Sequence, residues 1–289
     1  MINLFETIKE HPEYFKQLSC KELLFTQYDC PQEEARQDLY AQNNYIVYVL
    51  SGNRIFLQPG ATIAMTAGKC VFVKKGGWIA EKGPADGWCV LVFFIPDDYL
   101  KQFVREYRTS LPIAKEQYPA PKQMFELTIN DTTTSFFTSM VPYFTQNPPP
   151  PADLLELKFR ELVFNVLVNP FNKELLTYLC SIADRNKTPL AEIMEANFTY
   201  NLSLADFAKL AHRSLAAFKR EFTTIFNTSP GKWLLGKRIE YAKLLLHTSG
   251  KSIIDIAFES GFENTSHFSR VFKEKTGVAP LHFRQQATT

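Results

Sequence analysis

The chain has 289 residues, 45% of them hydrophobic, enough for two domains of ordinary size that each bury a core. Its net charge of +2 hides an asymmetry: from Asn197 onward 13 Lys/Arg stand against 7 Asp/Glu (+6), leaving 19 against 23 (−4) before it. The first twenty residues scatter charges among apolar positions, unlike a secretory signal, and no apolar run reaches the roughly 18 residues of a membrane span, so a cytoplasmic chain with no membrane partner is expected. Five widely scattered cysteines form no CxxC pair, which fits a reduced compartment and argues against a zinc or redox site.

Between residues 21 and 95 short β-like runs alternate with glycine-containing breaks: YIVYVL, SGN, RIFLQ, PG, ATIAMT, AGK, CVFVKK, GG and WCVLVFFIP. That spacing predicts a small antiparallel barrel or double-sheet jelly roll. After Pro96 the periodicity becomes helical, in DDYLKQFVREY and again in LLELKFRELVFNVL, where Leu155, Phe159, Leu162 and Val166 fall on one face. The four prolines of NPPPPADL interrupt any helix, and Asp153 is placed to cap the one that follows. The polar stretch DRNKTP, residues 184–189, marks the domain boundary, with Thr188 as N-cap and Pro189 opening a new helix. The two domains are therefore 1–184 and 185–289, an α+β chain with an antiparallel barrel or jelly roll and following helices, then an all-α part.

The basic part repeats itself. An offset of 50 carries Phe218 to Phe268, Arg220 to Arg270, Phe222 to Phe272, Pro230 to Pro280 and Trp233 to Phe283. Upstream the offset is 49, pairing Ser203 with Ser252, Asp206 with Asp255 and Ala208 with Ala257, so the second copy has gained one residue in its connecting turn. Each copy reads as a helix-turn-helix: a serine-capped helix with a small central residue, a short turn, and a second helix with aromatics on one face. Gly261 suits a turn that needs positive φ. Between the copies PGKWLLGKRIEYAKLLLHTSG reads as one helix of about 18 residues, roughly 27 Å, a length that separates two recognition helices by about one DNA turn.

SLADFAKLA, FKREF, SPGKWLLGKRIEYAKLLL, SIIDIAFESGF, SHFSRVFKEKTG and PLHFR, in this order, resemble the DNA-binding domain of the AraC/XylS family of transcription regulators over about residues 188–284. Within that family YVLSG, LQPG, FVKKGG and LLELKFRELVFNVL are similar to the activators of type III secretion genes. The resemblance implies sequence-specific binding of double-stranded DNA, activation rather than repression, and RNA polymerase as a partner. It also implies that the N-terminal barrel is a cupin-like regulatory and dimerisation domain.

Leu215, Phe218 and Phe222 are expected to face the core, which leaves Ala216, Lys219, Arg220 and Thr223 on the outer stripe of the first recognition helix. Adding 50 gives Ser266, Ser269, Arg270 and Lys273 on the second, with His267 alongside. The resemblance places base contacts at these positions, with Arg220 and Arg270 suited to guanine edges. Ala216 departs from the family's habit, offering only apolar contact to a thymine methyl. Lys232, at the start of the linker helix, suits a phosphate. The plain alternative for these cations is a solvated face or a structural ion pair. Arg238, among core leucines, is expected to form a structural ion pair and not a base contact, and Phe207, Phe258 and Phe262 to be core.

Histidines 212, 247, 267 and 282 lie in the basic part, and His11 precedes the strands, so the barrel lacks the imidazole cluster of a metal-dependent cupin enzyme. Neither GxSxG nor a P-loop is present, and no enzyme, metal or cofactor is expected. The barrel then serves a small-molecule effector, a protein effector, or is a filled core around Trp78 or Trp88. The wide apolar face of the helix at 153–168 suggests a homodimer contact through Leu154, Leu157, Phe159, Leu162 and Phe164. The rival functional reading is a metabolite-sensing protein whose basic domain contacts a protein partner.

Overall fold

In WCVLVFFI alternate residues point to opposite faces of a strand, and both faces are apolar, so this strand requires cover on both sides. The computed structural model, which describes residues 2–29, 35–58, 61–83, 87–113, 122–184 and 190–287, shows what provides it. The chain divides into two compact units, Met1–Thr188 and Pro189–Thr289.

The first unit contains strands β1 (Ile2–Asn3), β2 (Lys16–Cys20), β3 (Leu23–Asp29), β4 (Arg36–Ala41), β5 (Asn44–Gln58), β6 (Ala61–Thr66), β7 (Cys70–Val73), β8 (Gly76–Lys82), β9 (Trp88–Ile95) and β10 (Met124–Leu127). Its helices are α1 (Leu4–Glu10), α2 (Asp97–Glu106), α3 (Asp131–Met140), α4 (Ala152–Val168) and α5 (Lys173–Ala183). The SGN expected as a turn lies inside β5, which passes through it with a register shift between Val49 and Ser51. Such a bulge bends a strand without ending it. The first part of β5 pairs with β7 and β9, and the second part with β6 and β8, so one strand serves two sheets.

Tyr45, Val47, Val90, Val92 and Phe94 turn into the core between the sheets, with Phe56 and Trp78. Ile46, Tyr48, Leu91, Phe93 and Ile95 turn the other way, onto a core shared with the helices. Leu155, Phe159, Leu162 and Val166 of α4 are all buried there, and the Phe159 ring lies 5.4 Å from Phe25. Each such side chain contributes about 1.5–3 kcal/mol by leaving water. Asp153 does not cap α4: Pro151 holds the N-cap position, and Asp153 stands in the first turn, where its charge still suits the helix dipole. Lys75, from the FVKKGG run, makes a buried 2.6 Å ion pair with Asp97 at the start of α2, and Asn44 donates to the same carboxylate at 2.7 Å. This pair ties β5 and the β7–β8 connection to the start of α2.

The second unit is helical: α6 (Leu190–Asn197), α7 (Leu204–Leu210), α8 (Leu215–Phe226), α9 (Pro230–Thr248), α10 (Ile253–Glu259), α11 (Thr265–Thr276) and α12 (Pro280–Ala287). Thr188 and Pro189, expected to cap and open its first helix, lie outside the described residues. The chain is thus α+β, with a half-barrel double sheet and its helices followed by a helical double helix-turn-helix unit.

Candidate nucleic-acid interface

The repeat in the sequence is also a repeat of backbone conformation. Ser203 caps α7 through a reciprocal bond with Asp206, and Ser252 accepts from the Asp255 amide at the same place in α10. The turns that follow place His212 at φ 52 and Gly261 at φ 87, one offset of 49 apart. The recognition helices α8 and α11 then end in left-handed caps at Asn227 and Gly277, one offset of 50 apart. Non-glycine residues in the first copy accept the strain that glycine removes in the second.

Phe218 and Phe222 of α8, and Phe268 and Phe272 of α11, are fully buried, which fixes the rotation of both recognition helices. The opposite stripes are therefore outward: Ala216, Lys219, Arg220 and Thr223 are exposed on α8, and Ser266, His267, Arg270 and Lys273 on α11, with Ser269 partly covered. The sequence assignment holds for these positions but fails at Leu215, which is 40% exposed beside Ala216 instead of facing the core. Phe207 and Phe262 are core as expected, whereas Phe258 is 50% exposed on α10. Its counterpart by the offset of 49 is Lys209, so the position is outward in both copies.

The cations of this unit divide sharply. Arg213 grips Glu221 at 2.5 and 2.7 Å, Lys237 pairs with Glu195, Lys243 with Glu240 and Lys251 with Glu259. Arg284 donates to the Lys251 carbonyl, and Lys209 is also engaged. Arg238 donates to the carbonyls of Phe198 and Tyr200, so its structural role is met by backbone oxygens instead of the ion pair expected. Among the described residues, six Lys and Arg side chains of the unit have no hydrogen-bond or ion-pair partner: Lys219, Arg220, Lys232, Arg270, Lys273 and Lys275. Five of the six are the cations singled out from the sequence. Lys275 was missed because it lies off the outward stripe, seven residues after the core residue Phe268.

In the first unit the proposed dimer residues separate. Phe159 and Leu162 are buried within the unit itself, a correction to their assignment, and Phe164 packs edge-on against Phe103 and Tyr107. Leu154 and Leu157 remain at the surface, Leu157 at 65% exposure. Between the sheets lies a cavity of about 30 Å³, bordered by Tyr45, Arg54, Phe56, Trp78 and Trp88. Of these lining residues, Tyr45 and Trp78 have a hydroxyl and an Nε1 that are buried without a hydrogen-bond partner, and the size of the cavity suits about one or two waters. Among the described residues no group of three His, Cys, Asp or Glu side chains could hold a metal ion, and no helix is long and apolar enough to cross a membrane.

Residues 44–178 match the family described as the ExsA N-terminal regulatory domain, and residues 207–286 match a helix-turn-helix domain. The virulence regulon transcriptional activator VirF of Yersinia enterocolitica is 25% identical over 82% of this chain and 88% of its own length. The transcriptional regulator ExsA of Pseudomonas aeruginosa is 26% identical over 83% and 85%. Among solved structures, ToxT of Vibrio cholerae covers 93% of this chain and 100% of its own, at 17% identity and a TM-score of 0.43. The chain thus carries an ExsA-type N-terminal regulatory domain followed by an AraC-type helix-turn-helix domain, the two parts found in transcriptional activators of type III secretion such as VirF and ExsA.

Proposed function

We propose that α8 and α11 read two successive major grooves, with Arg220 and Arg270 on guanine edges and Lys219 and Lys273 on bases or flanking phosphates. Ser266, Ser269, His267 and Thr223 supply single polar contacts, and Ala216 with Leu215 meets thymine methyls. Lys232 and Lys275 neutralise phosphates. The observation that carries this reading is the set of six cations left without protein partners in a unit where the other cations are engaged. Four of the six, Lys219, Arg220, Arg270 and Lys273, stand on the outward stripes of the two recognition helices, and a structural role would pair them. Titration of the full chain onto duplex DNA over a range of salt tests the reading, since counterion release makes affinity fall linearly on a log–log plot. Flat salt dependence would favour a protein partner for this surface.

The relatives' role as transcriptional activators supports activation, with RNA polymerase as the contacted machinery and the cytoplasm as the place of action. Exposed Leu154 and Leu157 support a homodimer through α4, which would raise affinity at paired sites through effective concentration. The narrow cavity between the sheets supports control by a protein docking on the first unit over control by a small molecule held inside it.

A further inference from the structure

Arg238 projects from the linker helix α9 onto the segment that leads into the first motif. Its Nε donates to the Phe198 carbonyl at 2.7 Å and its Nη2 to the Tyr200 carbonyl at 2.8 Å. These oxygens follow the end of α6, where helix carbonyls lack intrahelical partners and a cation is favoured. The same segment abuts the turn of the second motif. A Cβ on Gly261 would stand 2.6 Å from the Thr199 carbonyl oxygen and 2.9 Å from Arg238 Nε. Asn201 donates to Glu263 beyond that turn, the Phe198 ring meets Tyr241 edge-on at 5.7 Å, and Lys237 holds Glu195.

The apolar contacts of α9 alone would leave the motifs free to adjust. Trp233 packs on Phe222 and Phe226 of the first motif, while Ile239, Ala242 and Leu246 join the core of the second. Such contacts are non-directional. A guanidinium fork on two fixed carbonyls is directional, because its donors lie in one plane. Burial pulls the Arg238 pKa below its ordinary range, and nearby Glu263 opposes that shift and favours the charged form.

We propose that Arg238, with residues 198–201, braces the second motif against the first and is the positioning residue that sets which half-site spacing the protein accepts. One base pair of added spacing moves a half-site by about 3.4 Å and rotates it by about 35°. A braced pair of motifs cannot follow both changes, whereas a hinged pair can.

The proposal rests on the double-motif DNA reading, and the experiment separates the two. The full chain first selects its site from random duplex. Wild type, Arg238→Met and Asn201→Ala are then titrated onto the selected site, onto versions with one base pair inserted or deleted between the half-sites, and onto a single half-site. Wild type is expected to lose about ten-fold or more on either spacer change, comparable to a mismatch. Arg238→Met is expected to lose less than about three-fold, while single half-site binding stays unchanged. Asn201→Ala, at an exposed contact, shifts the spacer response in the same direction by less, and carries the test if Arg238→Met fails to fold. Folded variants that keep the full spacer penalty, or that weaken equally on every duplex including the half-site, overturn the brace. Selection by wild type of no two-part site overturns the DNA reading itself and the brace with it.

Discussion

Replacing Arg270 by alanine separates reading from general attraction. Arg270 is exposed and without a protein partner, so its loss should change the unfolding free energy by no more than about 0.5 kcal/mol. At the selected site it should cost about 1–3 kcal/mol, or about 5- to 150-fold in Kd, and relax the choice of base at one position. Lys232→Ala provides the contrast. With Arg220 and Arg270 on bases, the other four unpaired cations reach phosphates, giving a log–log salt slope of about −3.6. That is a loss of about 150-fold between about 50 and 200 mM salt, which Lys232→Ala reduces to about 40-fold at a slope of about −2.7. Anisotropy titrations give the slopes, and site selection with each variant gives the base preferences. If Arg270→Ala weakens every sequence alike and leaves the preferences intact, the argument from unpaired cations does not extend to base reading.

Leu157→Glu should yield a monomer by sedimentation without lowering the melting temperature, because Leu157 is exposed; a persistent dimer would move the contact off α4. Leu162→Ala on the same helix should cost about 2–5 kcal/mol in urea unfolding, because it empties a fully buried position. Lys75→Met should cost about 3–5 kcal/mol by removing the cation that balances the buried Asp97 charge, and a cost under about 1 kcal/mol would mean that Asn44 and the start of α2 hold that charge without it. Burial pushes the Cys89 thiol up to about 11, helped by its hydrogen bond to Asp29, and the Tyr99 phenol up to about 12. The unfolded chain therefore loses these protons at lower pH than the folded one, and stability should fall as pH rises from about 9; a melting temperature flat to pH 11 would contradict this.

The helical unit was legible because duplication doubles each signal: a cap, a turn or an aromatic read in one copy is checked in the other. Where the copies differ, the reading failed. Lys275 falls off the outward stripe, seven residues after Phe268, and Leu215 reads as inward from its spacing to Phe218 and Phe222 although Thr265, its counterpart, is polar. The partners of Arg238 were hidden for another reason. Carbonyl acceptors 40 and 38 residues away carry no side-chain signature. In the first unit the apolar runs marked the strands, but the SGN bulge of β5 was taken for a turn, because glycine serves both and only the pairing of both halves distinguishes them. Apolarity likewise could not apportion α4. Phe159 and Leu157 are equally hydrophobic, and only the position of the sheet decides which of them is buried.

One chain carries the motif twice because neither copy makes a complete reader alone. Each has a small core, and each completes it on the shared helix α9, the first through Trp233 and the second through Ile239, Ala242 and Leu246. That helix is 19 residues, about 28 Å, long. A protein with one motif must dimerise to place two recognition helices a DNA turn apart. Here a monomer already has both, so the proposed pairing through the first unit would not be needed to build the reader and would be free to control occupancy. A protein that docks on the first unit and blocks that pairing would then lower affinity at paired sites while leaving single-site recognition intact. Leu157→Glu mimics such a partner. It should bind an isolated site as wild type does and lose its advantage only where two sites lie within reach of one dimer; equal loss at both kinds of site would mean that the reader itself needs the dimer.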